Sequence, residues 1–284
     1  MAKASLSLHP TFIGIVCITL TSCGFAYAPA CSADLVLTAP PRETPQAGHD
    51  VYEPLARYLT KVLGEKVVYE HPIDWKRYET KMKNDEYDII FDGPHFAAWR
   101  IDALLAQPLI KLPGSLRFVL VVKNSNKEIN QLHDLIGKTI CTLPAPNLGA
   151  LTLFAMFPHP ARQPEYRLVK GGFKEVAESF EAGKCDAAIL RSSFYYKKTE
   201  PLFLDTTKVI KRSKKLTNQG ITVSRRINAK ERKKLLDTLV HGEGKTALKP
   251  ILERFYSKAN AFIPADKRDY QNQNLLRDTT IFGW

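Results

Sequence analysis

Cysteine is scarce in this 284-residue chain. There are five, and three of them (Cys17, Cys23, Cys31) fall in the first 31 residues. That is too few for a fold held together mainly by disulfides. The remaining two, Cys141 and Cys185, each open an apolar run. They lack metal-ligand spacing and have no histidine beside them, which excludes a zinc site. Acidic residues are also few, 29 against 41 Lys and Arg, giving a formal charge of +12. No apolar run reaches the roughly 20 residues that a membrane-crossing helix needs. Catalytic signatures are missing as well. His49, His71, His95, His133 and His159 are scattered, with no HExxH, no GxSxG and no glycine-rich phosphate loop. Gly242-Glu243-Gly244-Lys245-Thr246 lacks the first glycine of such a loop, and no strand precedes it. Asp88 and Asp92 bracket one apolar strand and read as its ends rather than as an acid–base pair. These absences argue against an enzyme, and no cofactor is expected.

What the chain does have begins with an export segment. Lys3 is the only charge before Asp34, Thr11–Leu20 is apolar, and small residues follow up to Ala33. Leu20-Thr21-Ser22-Cys23 has the form of a bacterial lipobox, in which Cys23 would be acylated. Ordinary cleavage near Ala33 is the alternative reading. Either route places the mature protein in the periplasm, free or lipid-anchored, where nucleic acid is not an expected partner. The basic clusters Lys208–Lys215 and Lys230–Lys234 read as solvated faces.

Beyond residue 33, short apolar strands alternate with amphipathic helices. Strands are predicted at Leu35–Thr38, Lys66–Glu70, Tyr87–Asp92, Leu116–Val122, Thr139–Leu143, Arg167–Lys170, Asp186–Leu190 and Ile221–Ser224. Helices are predicted at Val51–Leu63, Trp75–Lys83, Ile129–Leu135, Gly149–Phe157, Phe173–Ala182, Ala229–Leu239 and Thr246–Lys258, with Gly64 as a C-cap. This is an α/β pattern with mostly parallel sheets. A second α/β block inserted in the middle, with no low-complexity linker, predicts two lobes joined by crossing strands. If the strands that Cys141 and Cys185 open are neighbours, an oxidising compartment would let them pair; otherwise both are buried free thiols.

Three stretches carry a family resemblance: Tyr52–Leu59 with Leu63-Gly64, Tyr87–Pro94, and Leu132–Thr139 together with Ala182–Ala188. In order and spacing they resemble the phosphate/phosphite/phosphonate-type periplasmic solute-binding proteins of ABC importers, over about residues 35–270. The resemblance implies a type II periplasmic binding protein fold. Lobe one would comprise residues 34–118 and 221–284, lobe two residues 119–220, with hinge strands near Arg117–Val122 and Gln219–Val223. It implies a monomer that takes a small-molecule ligand between its lobes and delivers it to an ABC permease or another membrane partner. The ligand would lie where helix N-termini offer free N–H groups to an anion.

At the implied site the chain departs from the family pattern. Relatives have a Ser/Thr-rich turn where this chain has Ala145-Pro146-Asn147-Leu148-Gly149, and their ligand-binding His is Phe173 here. An acidic position becomes Ser193, and a second becomes Asn218 or Gln219. Tyr52 is kept, and His95 or Phe96 stands at an aromatic cleft position. With Arg191, these residues form the expected ligand site: Tyr52, His95, Phe96, Asn147, Leu148, Phe173, Arg191, Ser193 and Asn218. Lost hydroxyls and a lost imidazole would each remove about 1.5–3 kcal/mol of hydrogen bonding to a charged group. The expectation is therefore a ligand other than a simple phosphonate, less charged and more apolar. A cleft containing Phe96, Trp99, Leu148, Phe173, Phe194 and Tyr195 would also suit a lipid- or sterol-like guest. A domain that senses a ligand and signals to a membrane partner would share the same sequence features.

Overall fold

The computed structural model describes residue 1 and residues 33–276; the export segment with Cys23 lies outside the described residues. The chain enters through β1 (Leu35–Thr38), turns into α1 (Pro45–Leu63) and returns in β2 (Val67–Glu70). α1 starts earlier than Val51 because Thr44 Oγ1 accepts the Ala47 N–H and Pro45 sits where no donor is needed. Gly64 ends the helix at φ +77°, a conformation that costs glycine little. Next come α2 (Trp75–Lys83), β3 (Ile89–Asp92), α3 (Pro94–Ala103) and β4 (Gln107–Lys111). The short β5 (Ser115–Leu116) leads to β6 (Phe118–Lys123), β7 (Thr139–Thr142), α4 (Leu148–Phe154), β8 (Glu165–Leu168), α5 (Phe173–Glu181) and β9 (Ala187–Arg191). The chain continues through α6 (Ser192–Lys198), α7 (Pro201–Thr206), β10 (Thr207–Arg212), the short β11 (Leu216–Thr217) and β12 (Gly220–Val223). It ends in α8 (Ala229–His241), α9 (Gly244–Tyr256) and β13 (Ile263–Pro264). The helix expected at Ile129–Leu135 is only a 3-10 turn, Leu132–Leu135.

The strands form two main sheets. The first has the order β13-β4-β12-β3-β1-β2, the second β10-β6-β9-β7-β8. β1 pairs in parallel with β2 and β3, and β12 runs antiparallel to both β3 and β4, so β1 to β4 all point one way. In the second sheet β7, β8 and β9 are parallel and β6 runs against β9. The first sheet with its helices is lobe one here, the second lobe two. Between them β5 and β11 form a separate two-stranded antiparallel ladder. The crossing therefore lies earlier than expected from sequence, because Phe118–Lys123 is already paired along its length inside the second sheet.

Each lobe has its own apolar core. Leu37, Leu55, Leu59, Phe91, Ile221, Leu235 and Ile251 fill lobe one under α1, α8 and α9. In lobe two, Leu120, Val122, Ile140 and Ile189 lie on one face of the sheet, and Val119, Val121, Phe180 and Leu190 on the other. Cys141 and Cys185 are joined by a disulfide that ties β7 to the segment entering β9. A further apolar cluster spans the lobes: Tyr78, Met82, Tyr87, Ile90 and Phe96 from lobe one pack with Ala150, Leu151 and Phe154 of α4. α4 is thus buried on every side, and the lobes are in contact along that edge.

α3 was not anticipated. Its residues are buried all round (His95, Phe96, Ala97, Ala98 and Arg100), so no one-sided apolar stripe marks it. It is anchored by charge. Asp92 (0% exposed) accepts from Arg100 Nη2 at 3.0 Å and from the Tyr78 hydroxyl at 2.6 Å, and Arg100 Nη2 also reaches Thr222 Oγ1 at 2.6 Å. Asp88 is equally structural, accepting from Val36 N, Ser224 Oγ and Arg226 Nη1. Both aspartates end or flank β3 as the sequence suggested.

Candidate functional site

The carboxyl ends of β1, β3, β7 and β9 meet at the gap between the sheets. The turns that follow them line a cleft of about 730 Å³. β1 leads to Pro41 and Arg42, β3 to Gly93 and His95, and β7 to Asn147 and Leu148. β8 leads to Gly171, Gly172 and Phe173, and β9 ends in Arg191 itself. α9, distant in sequence, adds Arg254 and Phe255. Of the residues expected at the ligand site, His95, Asn147, Leu148, Phe173 and Arg191 line this cleft.

The structure places the other four elsewhere. Tyr52 lies in the lobe-one core, its ring against Tyr69 and Phe91 at centroid distances of 5.1 and 6.1 Å. α1 turns it inward because positions 52, 55, 56 and 59 share one face. Phe96 faces the cluster between α2 and α4, stacking on Trp75 at 6.2 Å. Ser193 is exposed on α6. Asn218 is buried, its amide donating to the Pro113 carbonyl at 2.8 Å, and the neighbouring Gln219 is the residue on the cleft wall. Tyr195, expected in an apolar cleft, is in the lobe-two core with its hydroxyl 2.9 Å from Thr207 Oγ1.

Charge in the cleft is one-sided. Arg42, Lys174, Arg191 and Arg254 stand on its wall, with Glu175 as the one carboxylate. Glu175 is already engaged: it accepts the Gly172 N–H at 2.7 Å and caps α5, and backbone N–H groups hold its carboxyl below the usual range. Arg254 approaches Glu43, its Nε 3.3 Å from Oε1. Arg42 donates to the Gln219 side-chain oxygen and lies 5.7 Å from the Phe255 ring centre, with Arg254 at 5.0 Å from that ring. Arg191 has no carboxylate within ion-pairing distance among the described residues. Burial pushes its guanidinium down from its ordinary value; Tyr256 opposes that shift, and the like charge of Arg42 adds to it. The Arg191 and Arg42 guanidinium groups, from opposite lobes, therefore repel each other, and among the described residues neither forms an ion pair. Around them lie Phe118, Phe173 and Phe194, with centroid spacings of 6.2 and 6.1 Å from Phe173 to the other two.

The helix N-termini, by contrast, are largely spoken for. Asn147 Oδ1 accepts the Gly149 N–H at 2.8 Å, and Glu175 covers the start of α5. The positive charge left free on the cleft wall is therefore that of side chains.

His95 links the lobes. Its Nε2 lies 3.1 Å from the Pro146 carbonyl, which can only accept, so Nε2 carries a proton. Burial first, then the Arg42 charge, push its pKa down to about 3, although the Pro146 hydrogen bond acts in the opposite direction. If the lobes part and water returns to the ring, the ordinary value of 6.5 is restored. The contribution of neutral His95 to closure is then complete above about pH 6.5 and is lost as pH falls toward 3. Each unit in that window disfavours the closed state by about 1.4 kcal/mol. The expected result is a ligand affinity that weakens about tenfold per pH unit below 6.5, measured with a ligand that does not titrate there. His95→Gln, which can still donate to Pro146, should give a flat profile.

A family model described as "ABC transporter, phosphonate, periplasmic substrate-binding protein" matches residues 37–270. Among solved structures, XAC2383 from Xanthomonas citri bound to ATP superposes with a TM-score of 0.69 at 16% identity, covering 87% of this chain and 98% of that one. PhnD1 from Prochlorococcus marinus in complex with methylphosphonate gives 0.60 at 15% identity, covering 86% and 96%. A binding protein component of a Pseudomonas aeruginosa ABC phosphonate transporter gives 0.54 at 16%, covering 86% and 83%. These likenesses establish a shared fold. No curated protein sequence matches the chain.

Proposed function

Because the chain belongs to the periplasmic substrate-binding proteins of phosphonate ABC transporters, we propose that it captures a small organic anion with an apolar body rather than a simple phosphonate. Proteins of this family bind substrates outside the cytoplasm for a membrane transporter, and no described helix is long and apolar enough to cross a membrane. The observation that carries the reading is Arg191, a largely buried guanidinium without a carboxylate, facing Arg42 of the other lobe. An anion between them relieves the repulsion and touches both lobes. It therefore favours the closed state by differential affinity, and the transporter reads that state.

The apolar part of the ligand is argued from Leu148, Phe173, Phe194 and Phe255, each on the cleft wall. Burying such surface contributes about 25 cal/mol per Å². The composition of the cleft supports a ligand that carries both an apolar body and a negative charge. Two of the three structural neighbours above hold methylphosphonate and ATP, anions of very different size, so this fold accommodates anions larger than phosphonate.

The test is to purify the exported protein from its native host, identify co-purifying molecules by mass spectrometry, and titrate them by calorimetry. An organic carboxylate, sulfonate or substituted phosphonate that binds at least tenfold more tightly than methylphosphonate supports the reading. A neutral lipid as the bound molecule would overturn it, as would methylphosphonate or inorganic phosphate binding as tightly as any organic anion.

A further inference from the structure

Lobe one contains a second hollow, separate in composition from the anion cleft although Pro41 and Trp75 form part of both walls. It has a volume of about 760 Å³. Where the cleft wall is cationic, this one includes Glu43, Glu70 and Asp74 with His49, His71 and Tyr69, and no Lys or Arg. In a chain of net charge +12 that is an unusual concentration of acceptors.

Acidic walls alone say little, since Glu70 is paired with Lys81 at 2.7 Å and Asp74 caps α2 by accepting the Arg77 N–H. Glu43 is different. Its side chain is 5% exposed, yet neither carboxylate oxygen accepts a hydrogen bond. Arg254 Nε ion-pairs with Oε1 at 3.3 Å without forming one, and Oε2 has no donor among the described residues. A buried carboxylate whose oxygens accept no hydrogen bond is costly to desolvate, even beside one guanidinium. The Tyr52 hydroxyl, buried and under the same Glu43 charge, also has no partner. Beside them Tyr69 and His71 are held face to edge with 3.2 Å between the hydroxyl and Nδ1. Gly48 makes that arrangement possible: a Cβ there would lie 2.7 Å from both His71 Nδ1 and the Tyr69 hydroxyl. The aromatic wall, Tyr69 and Trp75, continues outward to Ile73, which is 85% exposed.

We propose that this hollow is a second binding site, for a small organic ammonium. Its N–H donors satisfy Glu43, the Tyr69 and Trp75 rings attract its charge through their faces, and its alkyl portion lies toward Ile73. The site adjoins the anion cleft through Pro41, Trp75 and the Arg254–Glu43 contact, but the proposal does not rest on the ligand proposed there.

The probe is butylammonium, titrated into the full exported protein by calorimetry and by amide NMR, with sodium chloride at matched ionic strength as the control. Saturable binding is expected, with shifts at Tyr69, His71 and Trp75 and the same affinity in an Arg191→Met variant whose anion cleft is disabled. Glu43→Gln should weaken it at least tenfold. If that variant folds poorly, Ile73→Lys decides the matter: it places a like charge at an exposed rim position that the fold does not need, and should weaken binding at least threefold. No saturation, no loss in either variant, or loss in Arg191→Met would overturn the proposal. Only the last of these would point back to the anion cleft.

Discussion

Arg100→Met is expected to lower the free energy of unfolding by about 3–5 kcal/mol, measured as a shift in the urea midpoint at constant slope. The reason is that Asp92 is left behind. It is fully buried, and without Arg100 it keeps only the Tyr78 hydroxyl as a side-chain donor. Removing one partner of a buried pair strands the other charge, which is far more costly than removing both. The double variant Arg100→Met with Asp92→Leu should therefore recover most of the loss, even though it deletes more hydrogen bonds. A double variant as unstable as the single one would mean that the network acts through Tyr78 and Thr222 rather than through the charge pair. The effect should also reach the cleft. Arg100 fastens α3, and α3 carries His95, whose ring meets Pro146 of the other lobe. Ligand affinity in Arg100→Met should fall with stability, whereas in the double variant it should return with it.

How far the cleft could be anticipated depended on where each residue sits along a strand. His95, Asn147, Leu148, Phe173 and Arg191 follow or end predicted strands, and in a doubly wound sheet the carboxyl ends of strands are where ligands gather. The family resemblance pointed to those five, and their positions along the strands are what bring them to the cleft wall. Tyr52 and Phe96 were assigned to the cleft from the family resemblance and Tyr195 as an aromatic, but large rings serve the core at least as often, and these three are buried in cores or between helices. Arg42, Arg254 and Phe255 were overlooked for a different reason. Arg42 lies in a proline-rich turn that reads as connection, and Arg254 is one basic residue among many on an amphipathic C-terminal helix. Only the packing of α9 against α1 brings Phe255 over the end of β1, where both guanidinium groups can lie on its ring. The same limit explains α3 and β10. A helix buried all round has no stripe to detect, and Thr207–Arg212 reads as a basic surface run, although its backbone pairs with β6.

Together with Arg191, which the sequence had placed at the site, the overlooked cations argue for an anionic ligand, and Arg191→Met is the sharpest test of it. The variant should weaken binding of the organic anion about 10- to 100-fold, the equivalent of one or two hydrogen bonds to a charged group. At the same time it should leave the ligand-free protein as stable as before, or more so. Arg191 is a mostly buried charge with no carboxylate partner and with Arg42 acting against it, so in the empty cleft it is a cost rather than a support. Opposite signs for affinity and stability are the signature of a group kept for a ligand; a residue that merely held β9 to α6 would lower both. Arg191→Lys separates charge from shape. It keeps the cation and loses the planar fork, so it should recover part of the affinity for a carboxylate or phosphonate but not the whole. If the anion binds Arg191→Met as tightly as the wild type, the charge between the lobes is not what the cleft recognises, and the aromatic wall of Phe173, Phe194 and Phe255 would have to supply the selectivity alone.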